Sequence, residues 1–130
     1  MKYCLDTWFF IKLSESDPKA IKLIKETKKN SFIIPSVTIL ELTRSAIRKG
    51  KLNDLENLIS SLMKGKNIKI IDCNVEIAKK AGEISASYNI PSIDSIIAST
   101  SIIHNCHKLL SDDSHFNKLH KNKVIKKERW

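Results

Sequence analysis

The chain is poor in the residues that break or staple a fold. With three glycines and three prolines among 130 residues, connections must be short. There is no internal repeat and no low-complexity linker. The three cysteines, Cys4, Cys73 and Cys106, are odd in number and lack C-x-x-C spacing. That argues against a disulfide framework or a structural zinc site and fits reduced thiols in a cytosolic protein. No apolar run approaches the roughly 18 residues needed to span a bilayer. Asp6 and Lys12 interrupt the only stretch that could serve as a signal-peptide core of about 7–15 apolar residues, so a cytoplasmic protein is expected. Gly50, Gly65 and Gly82 stand alone, which excludes a glycine-rich phosphate loop. His104, His107, His115 and His120 match no standard zinc spacing, and nothing in their positions places two imidazoles together as an acid–base pair.

What is present describes an ordinary globular chain. Hydrophobic residues make up 42% and charged residues 28%, enough apolar surface for one core and, at this length, for one domain spanning residues 1–130. The net charge is +9. Much of the excess lies in the last stretch, where Lys118, Lys121, Lys123, Lys126, Lys127 and Arg129 face only Glu128. A basic surface draws polyanions toward it, but a lysine-rich composition alone produces the same number, and charge does not choose between the two.

Short apolar runs alternate with longer helical patterns. Lys2–Leu5, Phe32–Ile34 ending at Pro35, Ile68–Ile71 and Lys108–Leu110 read as strands, and Val124-Ile125 as a brief fifth. A short helix is expected from Thr7. Asp17-Pro18 supplies an N-cap and a proline at the first helical position, opening a helix to about Lys29. Ser36 is expected to cap a helix running to about Lys49 and closed by Gly50. Leu52, Leu55, Leu58, Ile59 and Leu62 mark the next, closed near Gly65. Asn74 and Ser92 cap two more. Strands alternating with helices predict an α/β sandwich of three layers, a short and mostly parallel sheet of four to five strands covered on both faces. In such sheets chemistry sits beyond the carboxyl ends of the strands.

Four acids fall near those ends. Asp6 follows the first strand and Asp113 the fourth. Glu41 lies about one and a half turns into the helix after the second strand, and Asp94 in the first turn of the helix after Pro91-Ser92. Each has an ordinary explanation: Asp6 as a helix cap, Asp94 as a partner of the helix dipole, Glu41 paired with Arg44, Asp112 and Asp113 as turn residues. Gathered together, the four would repel one another, and a hard divalent cation with oxygen ligands would relieve that conflict.

The same segments resemble the PIN-domain family. Cys4-Leu5-Asp6-Thr7 is similar to its opening strand, with an aspartate followed by a small hydroxyl or amide residue. Pro35-Ser36-Val37-Thr38-Ile39-Leu40-Glu41 resembles the second motif, Ile90 to Thr100 with Asp94 the third, and Leu109-Leu110-Ser111-Asp112-Asp113-Ser114-His115-Phe116 the fourth, a strand leading into Thr/Ser-x-Asp-x-x-Phe. Trp8 departs from the small or aliphatic residue often found there. The resemblance implies a Mg²⁺- or Mn²⁺-dependent ribonuclease whose catalytic and metal-site acids are Asp6, Glu41, Asp94 and Asp113. Thr7, Ser111 and Asp112 support them; Asp113 fits the spacing better than Asp112 as the fourth acid. The compact length resembles the VapC-type toxins, implying an RNA substrate, an antitoxin partner and a homodimer. Arg44 and Arg48, on the Glu41 side of their helix, are candidates for RNA backbone contact, against the alternative of a solvated helix face. Three other functions stay open. One is a housekeeping RNA-processing nuclease of the same fold. Another is a non-catalytic module binding RNA or protein. The third is a receiver-like phosphoacceptor using Asp6 and Lys108.

Overall fold

The computed structural model describes residues 1–130. Five strands, β1 (Lys2–Leu5), β2 (Ser31–Pro35), β3 (Ile68–Ile71), β4 (Lys108–Leu110) and β5 (Lys127–Glu128), form one sheet in the order β3-β2-β1-β4-β5. Every pairing is parallel. Seven helices connect them: α1 (Thr7–Ser14), α2 (Pro18–Lys25), α3 (Ser36–Arg48), α4 (Leu52–Met63), α5 (Val75–Tyr88), α6 (Ser92–Ile103) and α7 (Asn117–Lys121). A turn of 3-10 helix, Ser114–Phe116, precedes α7.

Side chains that alternate along a strand separate the core into two. Tyr3, Leu5, Phe32, Ile34 and Leu110 face a cluster with Trp8, Phe9 and Phe10 of α1 and Leu42 of α3. Cys4 and Leu109, one residue out of step, face a second cluster with Ile84 of α5, Ile97 and Ala98 of α6, and Phe116 and Leu119. The sheet is therefore covered on both faces, as its nearly continuous apolar strands require. β1 is central, with β2 on one side and β4 on the other. The chain reverses its winding direction at β1, which places the crevice of such a sheet at the carboxyl ends of β1 and β4.

Several boundaries differ from the sequence expectation. α2 ends at Lys25, not near Lys29. Asn30 folds back there, its amide nitrogen donating to Leu23 O at 3.2 Å and its backbone N–H to Glu26 O at 2.9 Å, which ends the helix and starts β2. β2 continues through Pro35, which pairs with Ile71 as the last residue of the strand, a position where proline's missing N–H costs little. Ser36 and Ser92 are not caps. Both helices begin with them, and Pro35 and Pro91 stand at the boundary with no side-chain cap bond. Asn74 caps α5 as expected, accepting from Ile77 N–H at 2.9 Å, and Gly50 closes α3 at φ +66°. The fifth strand lies at Lys127–Glu128 instead of Val124-Ile125, because Ile125 is spent as a core plug beside Leu119. The ladder forms through Leu109 N–H to Lys126 O at 2.8 Å and Ser111 N–H to Glu128 O at 3.1 Å. Leu23 and Ile24 of α2 and Leu55, Leu58 and Leu62 of α4 pack against the first core cluster.

Candidate metal centre

The cleft at the carboxyl edge of the sheet gathers the four acids. Asp6 occupies the N-cap position of α1, yet its side chain makes no cap bond. Its carboxylate turns into the cleft instead, where Ser111 Oγ donates to Oδ2 at 2.5 Å and Thr7 Oγ1 lies 3.3 Å from Oδ1. The same Thr7 hydroxyl stands 3.3 Å from Glu41 Oε1, so one side chain links the acid after β1 to the acid on α3. Ser111, at the end of β4, also accepts the backbone N–H of Asp113 at 3.0 Å. Asp113 then caps the 3-10 turn by accepting His115 N–H at 2.9 Å. His115 Nδ1 lies 2.8 Å from Asp94 Oδ2 and 3.1 Å from Asp113 Oδ1. The contacts run unbroken from Asp6 through Ser111 and Asp113 to Asp94.

Burial and mutual repulsion act together on the carboxyls of the cluster. Burial pushes the Asp6 carboxyl up; the Ser111 hydrogen bond pulls it back, and the charge on Asp113 adds to the rise. Burial also raises Glu41, helped by Asp6 and Asp94. Asp94 is raised by burial and then by Asp113, with His115 opposing. Although the chain carries 23 lysines and arginines, none forms an ion pair with any of the four acids. Carboxylates crowded, wholly or partly buried and unpaired with any lysine or arginine have the donor chemistry of a site for a hard divalent cation. Asp94, Asp113 and His115 offer three ligand atoms within 4.8 Å of one another.

The remaining sequence candidates separate. Asp112 is exposed and has no side-chain bond in the hydrogen-bonded chain, whereas Asp113 belongs to it. Arg44 is close enough to Glu41 to draw its carboxyl down without forming an ion pair. Arg44 and Arg48 both line the outer face of α3, beside Leu40 and Ile47, and both are exposed. Lys108 Nζ pairs with Glu128 at 3.1 Å, which removes it from any phosphoacceptor partnership with Asp6. Trp8 is covered edge-on by Trp130, with ring centroids 4.8 Å apart, so the bulky residue in the first motif packs with the C-terminus. The cysteines are free, with Cys4 buried and Cys73 exposed.

Two neighbours of the cluster escaped the sequence reading. His115 touches two of the acids, although no zinc spacing flagged it; its place two residues after Asp113 in a turn capped by that aspartate was the available signal. Lys127 of β5 feels the charges of Asp113, Asp112 and Asp6, which support its ammonium, while burial and Arg129 lower its pKa.

Comparison with known proteins agrees with this geometry. A profile of the PIN domain matches residues 3–122. The chain is 29% identical over 145 aligned positions to Ribonuclease VapC6 of Methanocaldococcus jannaschii, with 94% of this chain and 95% of the relative covered. Its fold is similar to that in the crystal structure of VapBC2 from Rickettsia felis bound to a DNA fragment from their promoter, with a TM-score of 0.78 at 20% identity over 100% of this chain and 99% of the other. It is also similar to a chain in a toxin–antitoxin complex from Klebsiella pneumoniae, with a TM-score of 0.66 at 21% identity, covering 88% and 89%. At these identities the structural likeness concerns the fold.

Proposed function

The chain belongs to the PIN-domain family, and from that membership we propose that it is a divalent-metal-dependent ribonuclease acting as the toxin of a toxin–antitoxin pair. The observation that carries the proposal is the convergence of Asp6, Glu41, Asp94 and Asp113 at one sheet edge with no lysine or arginine neutralising them. A related chain of nearly equal coverage bears the name ribonuclease, and the basic excess of +9 suits a polyanionic substrate.

Asp6, Asp94 and Asp113 would hold Mg²⁺ or Mn²⁺, directly or through water. When bound, such an ion supplies Lewis-acid polarisation of a phosphate oxygen and a more acidic water. Ser111 fixes the Asp6 carboxylate by its 2.5 Å hydrogen bond. Thr7 leaves Glu41 Oε2 free to orient the attacking water, since its hydroxyl meets Oε1. Arg44 and Arg48, one and two turns after Glu41 on α3, would engage the RNA backbone. Asp112, exposed beside the cleft, adds negative potential at its rim.

The antitoxin partner rests on the toxin–antitoxin complex among the structural neighbours. An apolar groove between α1, α3 and α4, lined by Phe10, Ile11, Leu42 and Leu55, includes Thr7, so an occupant of it would reach the residue that links Asp6 to Glu41. A homodimer belongs to the same reading, and Leu40 and Ile47, one turn or more apart on α3, are two of the exposed large apolar residues that would support one. A binding module without catalysis is less well supported, because every acid position is filled and within the linked cluster.

The test is incubation of a mixed RNA pool with wild type and Asp94→Asn, each with EDTA, Mg²⁺ or Mn²⁺. Cleavage should appear only with wild type and an added ion. Wild type that leaves the pool intact with both ions, or an equally active Asp94→Asn, would overturn the proposal.

A further inference from the structure

We propose that His115 is a direct nitrogen ligand of the metal centre and biases it toward Mn²⁺ over Mg²⁺; this rests on the metal-site reading above. Three observations support it. First, the imidazole is on a fixed mount. Asp113 caps the turn that carries it, and Phe116, the next residue, is fully buried. Backbone position is thereby set from both sides, as a preorganised ligand requires.

Second, the spacing suits shared coordination. Ligands at about 2.0–2.1 Å from an octahedral ion stand about 2.9–3.0 Å from their neighbours. Nδ1 lies 2.8 Å from Asp94 Oδ2 and 3.1 Å from Asp113 Oδ1. All three atoms lie within 4.8 Å of one another, so they could be ligands of one ion. The His115 side chain is 53% exposed, which leaves the outer positions of such an ion open to water and phosphate.

Third, the donor set differs in kind from four carboxylates. Oxygen ligands suit Mg²⁺ and Mn²⁺ alike, whereas an imidazole nitrogen is a softer donor that a transition ion accepts more readily than Mg²⁺ does. Replacing one oxygen position by nitrogen therefore shifts the ratio of affinities more than the affinities for a hard ion. His104, His107 and His120 make no contact with any of the four acids, so any nitrogen found on the ion identifies His115.

The experiment uses the full chain and metal alone, without RNA. Mn²⁺ and Mg²⁺ affinities are measured by calorimetry for wild type, His115→Gln and Asp94→Asn, and bound Mn²⁺ is examined by electron spin echo envelope modulation. Loss of even an outer-shell partner of a metal ligand costs about 10–100-fold in affinity. His115→Gln should accordingly weaken Mn²⁺ by at least about tenfold and Mg²⁺ by less than about threefold. Wild type should show directly coordinated ¹⁴N that is lost in the variant, whose fold is checked by circular dichroism. If Mn²⁺ binds, depends on Asp94 and shows no ¹⁴N, or if His115→Gln weakens both ions equally, the role of His115 is wrong while the metal site stands. If neither ion binds, or Asp94→Asn binds them as wild type does, the metal site itself is wrong and this proposal goes with it.

Discussion

Replacing Ser111 by alanine tests the central hydrogen bonds of the cleft. Ser111 is fully buried; its hydroxyl donates to Asp6 Oδ2 at 2.5 Å and accepts Asp113 N–H at 3.0 Å. A hydrogen bond to a charged group contributes about 1.5–3 kcal/mol, and an orphaned buried donor costs about 1 kcal/mol or more. Ser111→Ala should therefore destabilise the ion-free protein by about 2.5–4 kcal/mol, roughly 8–16 °C in Tm for a chain of this size. The part that depends on the Asp6 charge is separable. In an Asp6→Asn background the serine meets a neutral acceptor, for which the bond contributes only about 0.5–1.5 kcal/mol, so the same substitution should cost about 1 kcal/mol less. The Asp113 N–H contribution is common to both backgrounds and cancels. The assay is urea unfolding of the four proteins in EDTA at pH 8, where the Asp6 carboxyl, raised by burial, is ionised. If the two substitutions add to within about 0.5 kcal/mol, or Ser111→Ala alone costs less than that, Ser111 does not hold the Asp6 carboxylate in the way described.

Other outcomes follow from the same contacts. Mn²⁺ at a hundredfold excess over its Kd should stabilise the wild type by about 2.7 kcal/mol in thermal melts; EDTA should reverse the gain and Asp94→Asn should abolish it, and a gain that survives Asp94→Asn would place the ion elsewhere. Asp17 Oδ1 accepts both Ala20 N–H and Trp130 Nε1–H at 2.9 Å, and the cap bond, followed by the indole, holds its carboxyl below the usual range. A depressed folded value means that the contribution is complete above the ordinary aspartate pKa of about 3.9 and fades as pH falls through the lower folded value. Asp17→Ala should thus lower Tm by a few degrees at pH 7, with the gap closing below about pH 4; a gap independent of pH refutes the charge contribution. Neutralising Arg44 and Arg48 together as glutamine should flatten the slope of log K against log salt for single-stranded RNA by about 1.4, at roughly 0.7 per phosphate contact. An unchanged slope in filter binding removes both from the interface.

Local chemistry accounts for what sequence made legible. The four main strands are short Ile/Leu/Val-rich runs, and Asn74 and Gly50 act through their own backbone neighbours, so periodicity and turn chemistry located them. Asp6 and Asp113 follow strands, Asp94 lies in the first turn of its helix and Glu41 in the second turn of the helix after β2, and a parallel sheet brings those points to one edge. The misplaced boundaries had tertiary causes. Ile125 left the expected fifth strand for the core beside Leu119, and Asn30 cut α2 short by bonding back to Leu23. The His115 contacts depend on where a half-exposed ring turns in space, which no spacing rule encodes. Trp130 closing over Trp8 and Asp17 joins residues 113 apart in sequence, a contact that neither end announces.

The order of the strands also governs when the cleft can exist. β1, first in sequence, is completed on one side only by β4, more than a hundred residues later, and Asp94 and Asp113 come from the last third of the chain. A growing polypeptide on the ribosome carries Asp6 and Glu41 early but has no closed acid pocket until β4 and Asp113 have emerged and paired. Whatever the pocket does to its substrate, a chain cut or stalled short of that point is unable to do it.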